Sequence, residues 1–169
     1  MDKFLKWIEG NKEHQALIDK SHKNVSTREN KAPLEECDNI ELATYGDAVL
    51  KLALCEILWK KKTGVLTEEK KKYESDEVLV KYIAKRYDIL QFLKFDKEDK
   101  EKPKDYKYTN HRNDRKGRKD RNHRNPYKYI ATAIEACLGA MYMDKTVSWS
   151  DIIEIVEEWK NLINSSKLV

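Results

Sequence analysis

Glycine and proline are scarce in this chain, 5 and 3 residues in 169. So few turn-formers argue against sheet sandwiches and barrels, which need a tight turn every few residues. Cysteine is scarce as well. Cys37, Cys55 and Cys137 make an odd set without paired spacing. Cys55 and Cys137 lie in apolar runs and read as small core residues, not as metal ligands or a disulfide. No run of 18 apolar residues exists, which excludes a membrane-spanning helix. The opening MDKFLKWIEGNKEH has charges inside its only apolar stretch and does not read as a signal peptide. A thiol-reduced, cytoplasmic protein is expected.

What is abundant is charge and helix-compatible residues. Charged side chains make up 38% of the chain and hydrophobic ones 40%, a balance that favours an all-α domain of six or seven helices. The length suits one domain, taken as 1–169. The net charge is only +4, but it is unevenly spread. Between Asn110 and Asn125 there are seven basic residues, Arg112, Arg115, Lys116, Arg118, Lys119, Arg121 and Arg124, against two acids, Asp114 and Asp120. That surplus of five accounts for the whole positive excess. A solvated loop is the simplest reading of such a run. Five of the seven are Arg and three precede Asn, which also suits phosphate and sugar contacts, so the segment is the expected nucleic-acid contact.

Periodicity then divides the chain. Phe4, Leu5, Trp7 and Ile8, followed by Ala16, Leu17 and Ile18, suggest one or two short opening helices. From Ile40 to Trp59 the pattern is apolar nearly all round, which predicts a helix buried on every side, either central or in an oligomer seam. Thr67 is placed to cap a further helix, with Glu68 and Glu69 in its first turn, and helical spacing runs on to Phe95. Residues 96–126 read as a long charged loop inserted in the domain. Tyr129–Met143 is a second strongly apolar helix. Ser148 and Asp151 have the spacing of a capping box. Beyond them Trp149, Ile152, Ile153, Val156, Trp159 and Ile163 form one stripe.

Two carboxylates stand where few are tolerated. Asp47 interrupts the first apolar helix and Glu135 the second. An ionised carboxylate buried alone costs several kcal/mol, so each must be paired, protonated or metal-bound. Pairing with a Lys or with His22, or capping a neighbouring helix, would satisfy them. Their small neighbours, Gly46 and Ala48 on one side and Ala133, Ala136, Gly139 and Ala140 on the other, would let the two helices approach until both acids share a site. Two oxygen donors on facing helices, completed by water, suit Mg²⁺ or Mn²⁺.

The stretch IELATYGDAVLKLALCEIL, residues 40–58, resembles the signature helix of ribonuclease III. YIATAIEACLGAMYMD at 129–144 resembles that family's second acidic motif. LIDKSHKN at 17–24 and the segment 66–95 are similar to two further family stretches, in the same order and spacing. The resemblance covers roughly residues 5–163. It implies an all-α, homodimeric endonuclease domain that hydrolyses phosphodiesters in double-stranded or structured RNA with a metal-activated water. Asp47 and Glu135 match two of the family's four metal-binding acids. Ala43 and Thr132 stand where the other two would be.

LATYGDAV and ATAIEA are similar to the mini-ribonuclease III branch, which lacks the same two acids and shares a basic loop before the second motif. No double-stranded RNA-binding domain is expected within 1–169, in keeping with that branch. The resemblance implies dimerisation through the 40–59 helix, giving one site for each RNA strand. Asp47 and Glu135 would be the catalytic metal ligands, and the basic run would contact phosphates flanking them. Glu41, Asp38 and Asp144 are outlying acids, and Thr132 could bond a metal-bound water or simply pack. The competing expectation is a degenerate domain that binds structured RNA without cutting it.

Overall fold

The computed structural model describes residues 2–12, 14–17, 39–61, 64–94 and 126–166. Helices make up nearly all of it, as the composition predicts. Helix α1 is Lys3–Gly10, opened by the Asp2 carboxylate accepting from the Phe4 and Leu5 N–H groups. A single 3₁₀ turn follows at Gln15–Leu17. Helix α2, Ile40–Lys61, is the longest, and Lys60 and Lys61 in its last turn complement the negative end of the helix dipole.

Helix α3, Leu66–Glu74, begins one residue before the expected cap. Val65 occupies the cap position and makes no side-chain bond there, so Thr67 lies within the first turn and does not cap it. Glu68 and Glu69 still place negative charge at the dipole's positive end.

The stretch to Phe95 is not one continuous helix. Ser75 adopts an extended conformation and its hydroxyl accepts from the Val78 N–H, so it ends α3 and caps the next helix. Helix α4 runs over 76–87, and its middle, Leu79–Ala84, is wound as a π-helix. Asp88, in the left-handed conformation at φ 46°, stops it, and a 3₁₀ turn follows at Ile89–Gln91. Helix α5 is Pro126–Met143, starting three residues before the apolar pattern does. A proline at the first helical position costs nothing, because that N–H has no helical partner. Helix α6 is Trp149–Ser166.

The Ser148–Asp151 capping box forms as expected. The Ser148 N–H donates to Asp151 Oδ2 at 2.9 Å, and the Asp151 N–H to Ser148 Oγ at 3.2 Å. The stripe on α6 is buried at Ile152, Ile155, Val156, Trp159 and Ile163. Trp159 meets Phe4 of α1 edge to face, with ring centroids 4.9 Å apart.

The centre of the domain is the pair α2 and α5, packed along much of their length. Helix α5 is buried on all sides from Ile130 to Met141 except at Thr132 and Glu135. Helix α2 differs from expectation. It buries Ala43, Gly46, Val49, Leu50, Ala53, Leu54, Ile57 and Leu58, but leaves Tyr45, Leu52 and Trp59 exposed at 51%, 58% and 73%. Its inner face meets α5, α3 and α6, and none of the other described helices forms a layer over its outer face. Cys55 is half-buried and Cys137 buried, both free thiols. Cys37 lies outside the described residues. No described helix is long and apolar enough to cross a membrane.

Candidate functional site

The site is set by a backbone contact. A Cβ on Gly46 would stand 1.7 Å from the Glu135 carbonyl oxygen, and one on Gly139 would stand 2.3 Å from that of Leu42. The two helices therefore cross with their main chains touching, which only glycine permits at either position. Asp47 follows Gly46 directly, so this crossing brings its carboxylate beside Glu135.

The electrostatics carry the mark of that proximity. Burial pushes the Glu135 carboxyl up to about 7, and the negative charges of Asp47 and Asp76 add to the rise. Lys51 and Lys128 oppose it. Lys51, one turn after Asp47, donates from Nζ to Asp47 Oδ2 at 2.6 Å. That hydrogen bond raises the Lys51 pKa, and the charges of Asp47, Glu74 and Glu135 act in the same direction. Acids from α2, α3 and α5 thus act on one ammonium group.

The positions of the other sequence candidates divide clearly. Ala43 is buried and offers no donor atom. Thr132 donates its hydroxyl to the Lys128 carbonyl at 2.6 Å, within its own helix. Glu41 is exposed on α2. Asp144 lies beyond the C-terminus of α5, more than about 12 Å along the axis from Glu135. There it accepts from Trp7 Nε1 at 3.2 Å and from the Thr146 N–H and hydroxyl at 2.9 and 2.8 Å. It is an anchor between α1 and the turn after α5. Asp38, His22 and the basic residues Arg112, Arg115, Lys116, Arg118, Lys119, Arg121 and Arg124 lie outside the described residues.

Sequence reasoning missed Lys51, Glu74, Asp76 and Lys128. Lys51 was legible as a fourth-neighbour partner of Asp47 on one helix face. Glu74 and Asp76 flank the break at Ser75 and reach the site only through tertiary packing, for which one sequence carries no local signal.

The donor set fits a hard divalent ion. Mg²⁺ keeps several of its waters and is held by one or two carboxylates, and Asp47 and Glu135 supply two. Among the described residues no group of three or more His, Cys, Asp or Glu side chains forms a dedicated metal cage.

Comparison with known proteins agrees with the motifs. No curated protein matches the chain. The family profile described as ribonuclease III domain matches residues 40–146, a span that runs from the start of α2 to the turn after α5 and contains Asp47, Lys51, Asp76 and Glu135. The chain belongs to the ribonuclease III domain family, whose members are endoribonucleases that process double-stranded RNA.

Proposed function

We propose that this chain is itself an active, metal-dependent endoribonuclease of the mini-ribonuclease III type, hydrolysing phosphodiester bonds in double-stranded or structured RNA. The observation that carries the reading is the juxtaposition of Asp47 and Glu135 at a glycine-only helix crossing. The crossing holds the two acids near one another against their mutual repulsion, which favours a site that uses them together.

Asp47 and Glu135 would hold Mg²⁺ or Mn²⁺. When bound, such an ion lowers the pKa of a coordinated water and neutralises charge growing on the phosphoryl oxygens. The chain's own part is to present the carboxylates. Glu135, half-protonated near neutral pH by its surroundings, ionises once positive charge arrives, so cation binding and proton release are linked there.

The outer face of α2 supports a homodimer. Tyr45, Ala48, Leu52, Cys55 and Trp59 recur at alternating spacings of three and four, the period of a helix–helix seam. An apolar stripe of this kind marks an association surface. Two copies joined there would present two sites, one for each strand. The basic residues Arg112, Arg115, Lys116, Arg118, Lys119, Arg121 and Arg124 would contact phosphates beside the cut. Recognition would follow duplex shape, since A-form RNA displays its phosphates and 2′-hydroxyls more readily than its base edges. A cytoplasmic location goes with this reading.

The test is incubation of a long RNA duplex with Mg²⁺ or Mn²⁺, using wild type beside Asp47→Asn. Metal-dependent shortening by wild type alone is expected. Intact but retarded RNA in both lanes would instead mark a binding protein on a fold that no longer cuts.

A further inference from the structure

Two carboxylates carry enough charge for one divalent ion, whereas nucleases that clamp a phosphodiester with two ions need positive charge on both the attacking and the leaving side. In this chain the positions of the family's other two acids hold Ala43, which has no donor atom, and Thr132, a neutral hydroxyl that brings no negative charge and gives its proton to the Lys128 carbonyl. The site nevertheless contains a second cation of its own. Lys51 Nζ lies 2.6 Å from Asp47 Oδ2, and the charges of Glu74 on α3 and Glu135 on α5 act on it as well. An ammonium has three donors and a carboxylate two oxygens. The Lys51–Asp47 bond therefore exhausts neither partner. The Lys51 side chain is also 44% exposed, so the ammonium is open to a ligand arriving from solvent.

Resting on the reading of Asp47 and Glu135 as the metal-binding pair, we propose that Lys51 is the second cation of this site: held by Asp47, its ammonium binds a phosphate of the RNA duplex beside the single divalent ion.

Two consequences follow, the first placing the charge beside the ion and the second separating this role from that of a helix-surface ion pair. A resident positive charge repels an incoming divalent ion, so removing it tightens metal binding. A lysine on a phosphate releases a counterion when RNA binds, so removing it flattens the salt dependence of binding by about one unit of slope.

The experiment compares wild type, Lys51→Gln and Lys51→Arg in two measurements that need no cleavage. Calorimetric titration of the RNA-free protein with Mn²⁺ is expected to show Lys51→Gln binding about three-fold tighter or more, as loss of a like charge a few ångströms away requires. Retention of a short RNA duplex in EDTA, followed across salt concentrations, is expected to lose about one unit of slope in Lys51→Gln and to keep it in Lys51→Arg. Unchanged or weaker Mn²⁺ binding overturns the proposal, and so does an unchanged slope. A wild-type protein that neither retains nor cuts duplex overturns the functional reading, and the Mn²⁺ titration then still decides whether Lys51 stands beside the ion.

Discussion

Gly46 and Gly139 lie back to back where α2 crosses α5, so close that a Cβ on Gly139 would stand 2.9 Å from the Gly46 nitrogen. This contact sets the distance between the two central helices, and with it the separation of Asp47 and Glu135. A stability test follows directly. Gly46→Ala must push apart two backbones with no flexible neighbour to yield, and should destabilise by about 3 kcal/mol or more, or prevent folding. Gly10→Ala is the control. Its Cβ would meet nothing within 4 Å at the end of α1, so it should change stability by less than about 1 kcal/mol, towards a gain. Urea denaturation of both variants decides the matter.

The exposed side of α2 makes a second prediction. Leu52 lies mid-stripe and is more than half exposed in the single chain. Leu52→Glu should leave the helical spectrum intact and convert a dimer into a monomer in sedimentation at micromolar concentration. A wild type that sediments as a monomer would remove the basis for pairing two sites.

Glu135 makes the protein's stability depend on pH with a defined sign. Its folded-state pKa is raised to about 7 from the ordinary 4.5 of a free glutamate, so between those values the folded protein holds a proton that the unfolded chain has lost. Stability contributed by this group should therefore fall as pH rises from about 4.5 to 7, by on the order of 2 kcal/mol in metal-free protein. Above that window the full cost is present. Glu135→Gln should abolish this component, which urea titrations at pH 5 and pH 8 in EDTA would show as a smaller difference between the two conditions.

Much of this arrangement was legible in the sequence, for identifiable reasons. The two apolar helices announced themselves because a helix with few polar positions has nowhere to go but the centre, and the acids interrupting them stood out against that background. The Ser148–Asp151 box could be read because capping depends on residues three apart. Three features were not legible. The break at Ser75 depends on its extended backbone, which helical spacing on either side conceals. The start of α3 at Leu66 shows that a helix can begin without a side-chain cap when flanking acids serve its dipole. The action of Asp76 and Lys51 on Glu135, and of Glu74 on Lys51, joins four helices and has no local signature. Hydropathy also could not distinguish a helix buried on every side from one that leaves an apolar face exposed, and among the described residues α2 leaves Tyr45, Leu52 and Trp59 exposed.

Lys51 provides a contrast with the family pattern. Neither Ala43 nor Thr132 adds a carboxylate to Asp47 and Glu135, and an ammonium lodged on Asp47 lowers the negative charge of the site further. Metal affinity should accordingly be weak. Mn²⁺ should support wild-type cleavage at lower concentration than Mg²⁺, because Mn²⁺ binds the same oxygen donors while Mg²⁺ gives up its waters reluctantly. Activity measured against each metal would show the order, and equal half-saturation would contradict it.

The central claim is that Asp47 and Glu135 form a working catalytic pair, and the most direct measurement is duplex RNA cleavage by Glu135→Gln at saturating Mn²⁺. The glutamine keeps the shape of the side chain and removes its charge, so fold, sedimentation and duplex retention should match wild type while cleavage falls by at least about a hundred-fold, the cost of losing roughly 3 kcal/mol of transition-state stabilisation. Cleavage at wild-type rate by Glu135→Gln would contradict the account and place the chemistry elsewhere.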